Sequence, residues 1–216
     1  MDAVIRVIDA IEKAKTGISN LPPEVLAMPG MSSHKVRHFL NNLAAQRYME
    51  VGVWQGSTFV SACYGWQLDE ATAIDDFSQF PLAAGNDGSD VQAAFRANVA
   101  RFLPTQDITL RAKPVFSVPQ DTLPANVDVY FYDGGHTDEE QYQAITWAWP
   151  LLAQEAIIVV DDANFDGVIP ATRRGFAAVG ARVLWEWLLP ARFNGDQENW
   201  WNGLYIAVVR KLPINS

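Results

Sequence analysis

The chain has 216 residues, of which 49% are hydrophobic and 19% are charged, and its formal net charge is −9. This is the composition of a globular protein that is long enough for one domain with a full core. The acidic balance, with no cluster of Lys and Arg, argues against nucleic acid and anionic membrane surfaces as partners.

The first 45 residues are predicted to be helical. Apolar residues at helical spacing make residues 2–16 an amphipathic helix, which Gly17 ends. A further helix is predicted over 33–45, where serines at its start can cap it. Because both helices precede the first core strand, we expect residues 1–45 to form an N-terminal helical lid or a dimer surface.

A glycine turn within residues 46–60 is the first functional signal. A buried strand over 48–53 reaches Gly52, and Gly52 and Gly56 frame a tight turn before a helix that starts near Ser57. Glycines let a backbone approach a ligand, and the start of a helix offers free N–H groups. The segment therefore predicts a turn that cradles a nucleotide.

Glu50 distinguishes this turn from the glycine turns that bind dinucleotides. The spacing is Glu-x-Gly-x-x-x-Gly, which differs from the Gly-x-Gly-x-x-Gly fingerprint of dinucleotide-binding turns. A carboxylate here would repel a pyrophosphate and would suit a cationic ligand. The segment resembles motif I of the class I S-adenosylmethionine-dependent methyltransferases, whose ligand carries a sulfonium and an ammonium. An ordinary strand-to-helix turn is the alternative interpretation.

From residue 46 onward, short apolar strands alternate with helices. Strands are predicted over 48–53, 71–75, 107–112, 127–132 and 156–160, with helices near 57–66, 89–103 and 137–149. Such alternation indicates a parallel sheet with helices on both faces. After a helix at 168–179, strands at 182–189 and 204–210 follow one another without a helix, which predicts an antiparallel hairpin. We therefore predict an α/β fold with a Rossmann-like, doubly wound, seven-stranded sheet in a core of residues 46–216.

The second predicted strand ends in Asp75 and Asp76. In nucleotide-binding α/β folds, a carboxylate about 20 residues beyond the glycine turn accepts hydrogen bonds from the ribose hydroxyls. Asp75 is the first candidate for this role and Asp76 the competing one. A carboxylate that only caps the following loop is the alternative.

Acidic residues also follow the fourth and fifth predicted strands. Asp133 begins the run Asp-Gly-Gly-His, which ends in His136, and Asp161 is followed by Asp162. These carboxylates should converge at one edge of the sheet, and they cannot all stay ionised in a dry site without a cation. A hard divalent ion such as Mg²⁺ would resolve the repulsion. A shared proton and a wide, solvated cleft are the alternatives.

Asp-Gly-x-His after strand four, together with Asp-Asp after strand five, resembles the methyltransferase family that includes macrocin O-methyltransferase and cephalosporin hydroxylase-like proteins. The resemblance covers about residues 30–176. It implies that the glycine turn faces the methionine part of S-adenosylmethionine and that Asp75 faces the ribose. The expected cofactor-binding residues are Glu50, Gly52, Gly56, Ser57, Asp75, Asp76 and Asp133.

The same resemblance implies the metal ligands and the catalytic groups. Asp133, Asp161 and Asp162 match the metal positions, and His136 lies where related sites place a general base, so Asp133 and His136 are the expected catalytic residues. Some sugar O-methyltransferases of this group have a catalytic carboxylate two residues after the first metal Asp, where this chain has Gly135. Because of that departure, the resemblance does not identify the general base or the class of substrate.

Six tryptophans lie in the C-terminal third of the chain. One pair is predicted to lie in the core, another to share one face of a strand, and the third to lie in the loop between the last two strands, where it covers an acceptor or packs in a homodimer. In chain order the pairs are Trp147 and Trp149, Trp185 and Trp187, and Trp200 and Trp201.

The function that these features predict is methyl transfer from S-adenosylmethionine to an oxygen of a small-molecule acceptor. A cofactor-binding protein without catalysis is one alternative. A metal-dependent oxygenase is the other, but the usual triad needs two histidines, and His136 is the one histidine of three at a strand end.

The cysteine content and the first residues bear on the compartment. Cys63 is the single cysteine and lies in an apolar run, which predicts a buried thiol and excludes an internal disulfide. The start of the chain does not resemble a signal peptide, and no stretch has the length of a membrane span. A cytoplasmic location is therefore expected.

Overall fold

Seven strands form one sheet in the computed structural model, which describes residues 2–85 and 87–212. They are β1 (Arg47–Val51), β2 (Glu70–Ile74), β3 (Ile108–Arg111), β4 (Val127–Tyr132), β5 (Leu152–Val160), β6 (Arg182–Leu189) and β7 (Leu204–Arg210). Their order is β3-β2-β1-β4-β5-β7-β6. The first five are parallel, and β7 runs antiparallel to both β5 and β6. The predicted mostly parallel sheet with an antiparallel hairpin is confirmed.

Helices cover both faces of this sheet. They are α1 (Ala3–Lys15), α2 (Pro23–Leu26), α3 (His34–Asn42), α4 (Ser57–Cys63), α5 (Ser89–Phe102), α6 (Asp138–Ala148) and α7 (Val168–Ala178). Successive strand side chains point to opposite faces, so Tyr48 joins the apolar cluster under α1, α3, α4 and α5, whereas Met49 joins the cluster under α6 and α7. Burial on both faces explains the continuous apolar strands.

The register of the central strands determines where the chain leaves the sheet. Val51 pairs with Ile74 on one side and with Tyr132 on the other, and Tyr132 pairs with Val160. The residues that follow these four strands therefore emerge side by side at one edge. The strand order reverses between β1 and β4, which is the point where open α/β sheets bind their ligands.

Two helices end earlier than predicted. The predicted 57–66 helix stops at Cys63, two residues before Gly65, which has a φ of 78°. The predicted 33–45 helix stops at Asn42, ahead of Ala44, which is left-handed with a φ of 47°. In both places the turn into the next strand needs a backbone conformation that a helix cannot continue.

Residues 2–45 pack into the body of the molecule. Side chains of α1 and α3 belong to the same apolar cluster as the sheet, and Arg6 Nη1 lies 2.9 Å from the Asp128 carboxylate at the start of β4. Of this segment, Met31 and Ser32 line the cleft described below. In the described part of the chain, none of the helices combines the length and the apolar character needed to cross a membrane.

Candidate active site

A cleft of about 430 Å³ opens at the carboxyl ends of β1, β2, β4 and β5. Its walls come from the turns after these strands, from Met31 and Ser32, from residues 113–116 after β3, and from Trp201 and Asn202. The cleft lies at the reversal of strand order. Most of the predicted site residues line it: Gly52, Ser57, Asp75, Asp76, Asp133, His136, Asp161 and Asp162.

The two glycines of the turn are needed for packing. Gly52 and Gly56 have φ values of 84° and 86°, in the region that favours glycine. A Cβ on Gly52 would lie 1.8 Å from the carbonyl oxygen of Asp133, and one on Gly56 would lie 2.9 Å from the ring of Phe95. Gly52 lines the cleft, whereas Gly56 does not. A side chain at residue 56 would meet the core phenylalanine Phe95, and the contact of the Gly56 backbone with the cofactor stays a prediction.

Glu50 lies beneath the cleft instead of in its wall. Its side chain is fully buried and accepts hydrogen bonds from Tyr48 Oη at 2.6 Å and Thr58 Oγ1 at 2.5 Å. Burial raises its pKa to about 8, although both hydrogen bonds act in the opposite direction. The predicted direct contact with a cationic ligand is corrected, because Thr58 lines the cleft and Glu50 lies behind it.

Asp75 and Asp76 both line the cleft but differ in how they are held. The two oxygens of Asp75 accept the backbone N–H groups of Trp54 at 2.8 Å and Phe77 at 2.7 Å. Burial raises the pKa of Asp75, while these backbone bonds lower it. Asp76 is exposed and accepts only from Ser78. Each Asp75 oxygen retains a lone pair for another donor, so Asp75 is the fixed member of the pair.

The three carboxylates after β4 and β5 are brought together in the cleft lining. Burial, followed by the charges of Asp161 and Asp162, raises the pKa of Asp133 well above its usual value. Burial and the charge of Asp162 do the same for Asp161. These raised pKa values favour a protonated carboxyl at Asp133 or Asp161 over a fully ionised cluster.

Asp162 is the carboxylate that stays ionised. Burial raises its pKa, but the hydrogen bonds that it accepts from His136 and from the amide of Asn202 together hold that pKa below its usual value. His136 Nε2 lies 2.8 Å from Asp162 Oδ2, and Asn202 Nδ2 donates to Asp162 Oδ1 at 2.5 Å. Asp162 itself is left-handed, with a φ of 57°, a strained conformation typical of functional sites.

Both ring nitrogens of His136 are engaged. Nε2 contacts Asp162, and Nδ1 lies 3.1 Å from Nε2 of Gln141, a fully buried side chain on α6. With the Gln141 amide donating, Nδ1 is the acceptor and Nε2 carries the hydrogen that it donates to Asp162. Gln141 could not be predicted from the sequence, since nothing in the local spacing shows that α6 turns it toward this histidine.

The set of possible metal ligands differs from the predicted one in one member. Ligand atoms of Asp133, His136 and Asp162 lie within 4.8 Å of one another. Asp161 is absent from this set because its Oδ1 turns back to accept the backbone N–H of Asp162 at 2.9 Å. The geometry therefore offers a group with one imidazole and two carboxylates, and the triad of Asp133, Asp161 and Asp162 stays a prediction.

Glu140 is a further carboxylate of the cleft lining that the sequence did not single out. A Cβ on Gly135 would lie 2.3 Å from Glu140 Oε1, so no side chain fits at residue 135 in this arrangement. Glu140 is held by a capping box with Thr137, whose hydroxyl donates to Glu140 Oε2 at 2.6 Å. A carboxylate from the first turn of α6 thus occupies the space that a side chain at residue 135 would need.

The loop between β6 and β7 contributes one tryptophan to the cleft. Trp201 lines it beside Asn202, whereas Trp200 is buried against Phe39 with ring centroids 6.3 Å apart. Trp185 and Trp187 stack on the outer strand, as their shared face predicted, with centroids 6.2 Å apart. A homodimer that packs through Trp200 and Trp201 stays a prediction.

A family model described as a methyltransferase domain matches residues 49–163. The matched segment runs from the glycine turn to the residues after β5, and so includes Glu50, Asp75, Asp133, His136 and Asp162. No curated protein matches the chain.

Solved structures with the same fold are similar along nearly the whole chain. An O-methyltransferase from Bacillus cereus in complex with S-adenosylhomocysteine has 15% identity and a TM-score of 0.57, over 95% of this chain and 90% of that one. The O-methyltransferase TomG from Streptomyces achromogenes, involved in tomaymycin synthesis and bound to S-adenosylmethionine, has 14% identity and a TM-score of 0.54, over 94% and 90%. A methyltransferase from Podospora anserina bound to S-adenosylhomocysteine has 16% identity and a TM-score of 0.53, over 99% and 89%. At such identities the similarity concerns the fold.

Proposed function

The chain belongs to the methyltransferase-domain family, whose model matches residues 49–163, and from this premise we propose that it is a small-molecule O-methyltransferase that uses S-adenosylmethionine. The observation that carries the proposal is the pairing of His136 with an ionised Asp162 in the lining of the cleft. Similar folds in O-methyltransferases bound to S-adenosylhomocysteine or S-adenosylmethionine support the acceptor type.

The chemistry of the cleft fits this cofactor in three places. Asp75 offers carboxylate oxygens to the ribose hydroxyls, as nucleotide-binding α/β folds require. Val115 and Phe116 offer an apolar surface to the adenine. Ser57 and Thr58 offer hydroxyls where the methionine part is expected. All of these residues line the same cleft, and Asp76 is the exposed alternative for the ribose.

Bound there, the cofactor supplies an electrophilic methyl group, and the residues of this chain align the acceptor and take its proton. His136 donates Nε2–H to Asp162, so the carboxylate is the group available to the acceptor hydroxyl in this arrangement. His136 accepts a proton only at Nδ1, and only when the bond from the Gln141 amide breaks. We propose that the two residues act as one unit, with the imidazole holding Asp162 ionised and oriented.

A divalent cation is the second way to activate the acceptor oxygen. Asp133, His136 and Asp162 offer two carboxylates and one imidazole, a mixed set that suits Mn²⁺ or Zn²⁺ better than Mg²⁺. The hydrogen bond between His136 and Asp162 and the proton favoured on Asp133 and Asp161 also satisfy these groups without an ion. The set lacks the second histidine of an iron oxygenase triad, which argues against the oxygenase alternative.

The test combines binding with turnover. S-adenosylhomocysteine is expected to bind the purified protein in calorimetry more tightly than NAD. Methyl transfer to a panel of hydroxylated small molecules, followed by S-adenosylhomocysteine release, is expected to fall at least about 100-fold in His136→Ala. His34→Ala, an exposed histidine of α3, is the matched control and should retain full activity.

Four outcomes separate the alternatives. Failure to bind S-adenosylhomocysteine at millimolar concentration contradicts the proposal. Tight binding without turnover of any acceptor supports a non-catalytic cofactor-binding protein. Activity that disappears with EDTA and returns with Mn²⁺ or Mg²⁺ identifies the metal route, whereas activity unaffected by EDTA leaves the proton transfer to His136 and Asp162.

A further inference from the structure

Arg37 is a buried cation without a carboxylate beside it. Its side chain, on α3, is only 3% exposed. Nη1 donates to the carbonyl oxygens of Leu26 at 3.0 Å and Met28 at 2.9 Å, and Nε donates to Ser32 Oγ at 3.0 Å. Burial lowers its pKa to about 10, and no acidic side chain in the described part of the chain offsets that effect. A buried charge without a counter-charge is costly unless an anion completes the site.

The third guanidinium nitrogen of Arg37, Nη2, lies close to Ser57 of the cleft lining, where Gly30 leaves space between them. A Cβ on Gly30 would lie 2.6 Å from Arg37 Nη2 and 2.0 Å from Ser57 Oγ. The absence of a side chain at residue 30 thus leaves the guanidinium and the Ser57 hydroxyl close to each other. Within residues 2–85 and 87–212, Nη2 donates to no hydrogen-bond acceptor.

Two buried serine hydroxyls beside Arg37 each have a hydrogen that is available for donation to a ligand. Ser32 is 3% exposed and Ser57 is 5% exposed, and both line the cleft. Ser32 Oγ accepts from Arg37 Nε, so its own hydrogen is available to another acceptor. Ser57 Oγ makes no hydrogen bond to any residue that the structure describes. Donors of this kind next to a buried cation suit a carboxylate.

We propose that Arg37, Ser32 and Ser57 form a carboxylate-binding corner, and that it holds the carboxylate of the amino-acid part of the cofactor. This inference rests on the proposed function. The serine hydroxyls contact the ligand, and Arg37, which is not itself in the cleft lining, supplies the positive charge behind them.

The position of Glu50 favours an amino acid over a simple anion. Thr58, the neighbour of Ser57, directs its hydroxyl to the buried Glu50. The helix start therefore has a cation on the side of Ser57 and an acidic group on the side of Thr58. This pairing matches the carboxylate and the ammonium of a zwitterion, which the methionine part of the cofactor carries and the nucleoside part does not.

Two ligands that differ only in that part provide the test. S-adenosylhomocysteine contains the amino-acid group, and 5′-methylthioadenosine lacks it. We expect Arg37→Met in the full chain to weaken S-adenosylhomocysteine binding at least about tenfold in calorimetry, and to leave methylthioadenosine binding within about twofold. Arg37→Lys should recover part of the loss. Lys35→Met is the control, because Lys35 on the same helix donates to Asn199 Oδ1 and does not line the cleft.

Ser32→Ala and Ser57→Ala keep the test decisive if Arg37→Met does not fold. Each substitution removes one hydroxyl oxygen and should weaken the binding of S-adenosylhomocysteine but not that of methylthioadenosine. Equal losses for both ligands, or no loss for either in folded variants, would show that the corner is structural and would overturn the inference. If the unmodified protein binds neither ligand, the proposed function itself fails, which is a different result.

Discussion

Glu50 illustrates how burial changes the role of a carboxyl group. Its position in the motif predicts an anion facing a cationic ligand, yet the folded chain encloses it between Tyr48 and Thr58 and raises its pKa to about 8. A large fraction of this group is therefore protonated near neutral pH. A cation bound above Thr58 would favour the ionised form and release a proton.

This shift makes the stability of the protein depend on pH. The pKa of Glu50 is higher in the folded chain than its unperturbed value of 4.5, so its contribution is fully present below that value and is lost as the pH rises through about 8. We expect the free energy of unfolding to fall by up to about 1.4 kcal/mol per pH unit for such a group over this range. Glu50→Gln should flatten the pH profile of the denaturation midpoint, with a remaining slope from Asp133 and Asp161. Superimposable profiles of variant and wild type would contradict the raised pKa.

The turn glycines give a second prediction at the residue scale. Gly56→Ala must accept both a left-handed backbone and a Cβ 2.9 Å from Phe95, whereas Gly180→Ala meets only the backbone conformation, since nothing lies within 4 Å of its Cβ. We expect Gly180→Ala to cost about 1 kcal/mol and Gly56→Ala to cost about 1–3 kcal/mol more. Urea denaturation measures both. Equal losses of unfolding free energy in the two variants would mean that the Phe95 ring moves aside without an energetic cost.

At the scale of elements, the loop between β6 and β7 connects a distant part of the chain to the active site. Asp196 holds this loop by accepting from Arg192 Nε at 3.0 Å, from the backbone N–H of Glu198 at 3.1 Å and from Asn199 Nδ2 at 2.9 Å. The loop then brings Trp201 and Asn202 into the cleft lining. An aromatic contact with the acceptor is the role that this geometry favours for Trp201.

Asn202 tests whether the loop takes part in the reaction. Asn202→Ala removes the donor to Asp162 Oδ1 and should reorient the His136–Asp162 pair. We expect kcat to fall about tenfold with little change in S-adenosylhomocysteine affinity, because a charge-assisted hydrogen bond contributes about 1.5–3 kcal/mol. Asn194→Ala changes the same loop outside the cleft and is the control. A loss of cofactor affinity equal to the loss of kcat would indicate general loop disorder instead.

At the scale of the whole molecule, the N-terminal helices share the core of the sheet. Val7 and Phe39 are fully buried and belong to the same apolar cluster as Tyr48 and Phe59. The carboxylate-binding corner also depends on this segment, since Ser32 and Arg37 come from it. We propose that residues 1–216 behave as one cooperative unit.

Truncation tests this unity. A fragment of residues 46–216 would expose the apolar face that α1 and α3 cover, and we expect it to lose cooperative thermal unfolding and to bind a hydrophobic dye. Lys13→Ala, which breaks only the exposed pair of Lys13 with Asp9, should change the stability of the full chain by less than about 1 kcal/mol. A fragment that unfolds cooperatively and binds S-adenosylhomocysteine would show that the helices are an independent addition.

The strands, the sheet type and the edge where the cleft lies could be predicted from the amino-acid pattern alone. These features depend on local patterns: strands buried on both faces are continuously apolar, and the acidic residues that follow β2, β4 and β5 emerge at one edge whatever the details of packing. The positions of Asp75, Asp133, His136 and Asp162 in the cleft lining therefore follow from the sequence pattern.

The contacts of each of these side chains depend on the three-dimensional packing of the chain. Asp161 turns back to its neighbour's N–H, Glu50 lies behind Thr58, and Gly56 packs on Phe95. Arg37 and Asn202 reach the site from segments far away in the chain. Such contacts depend on the register of the strands and on the packing of the helices over them. The spacing of residues along the chain carries no information about a neighbour contributed by another element.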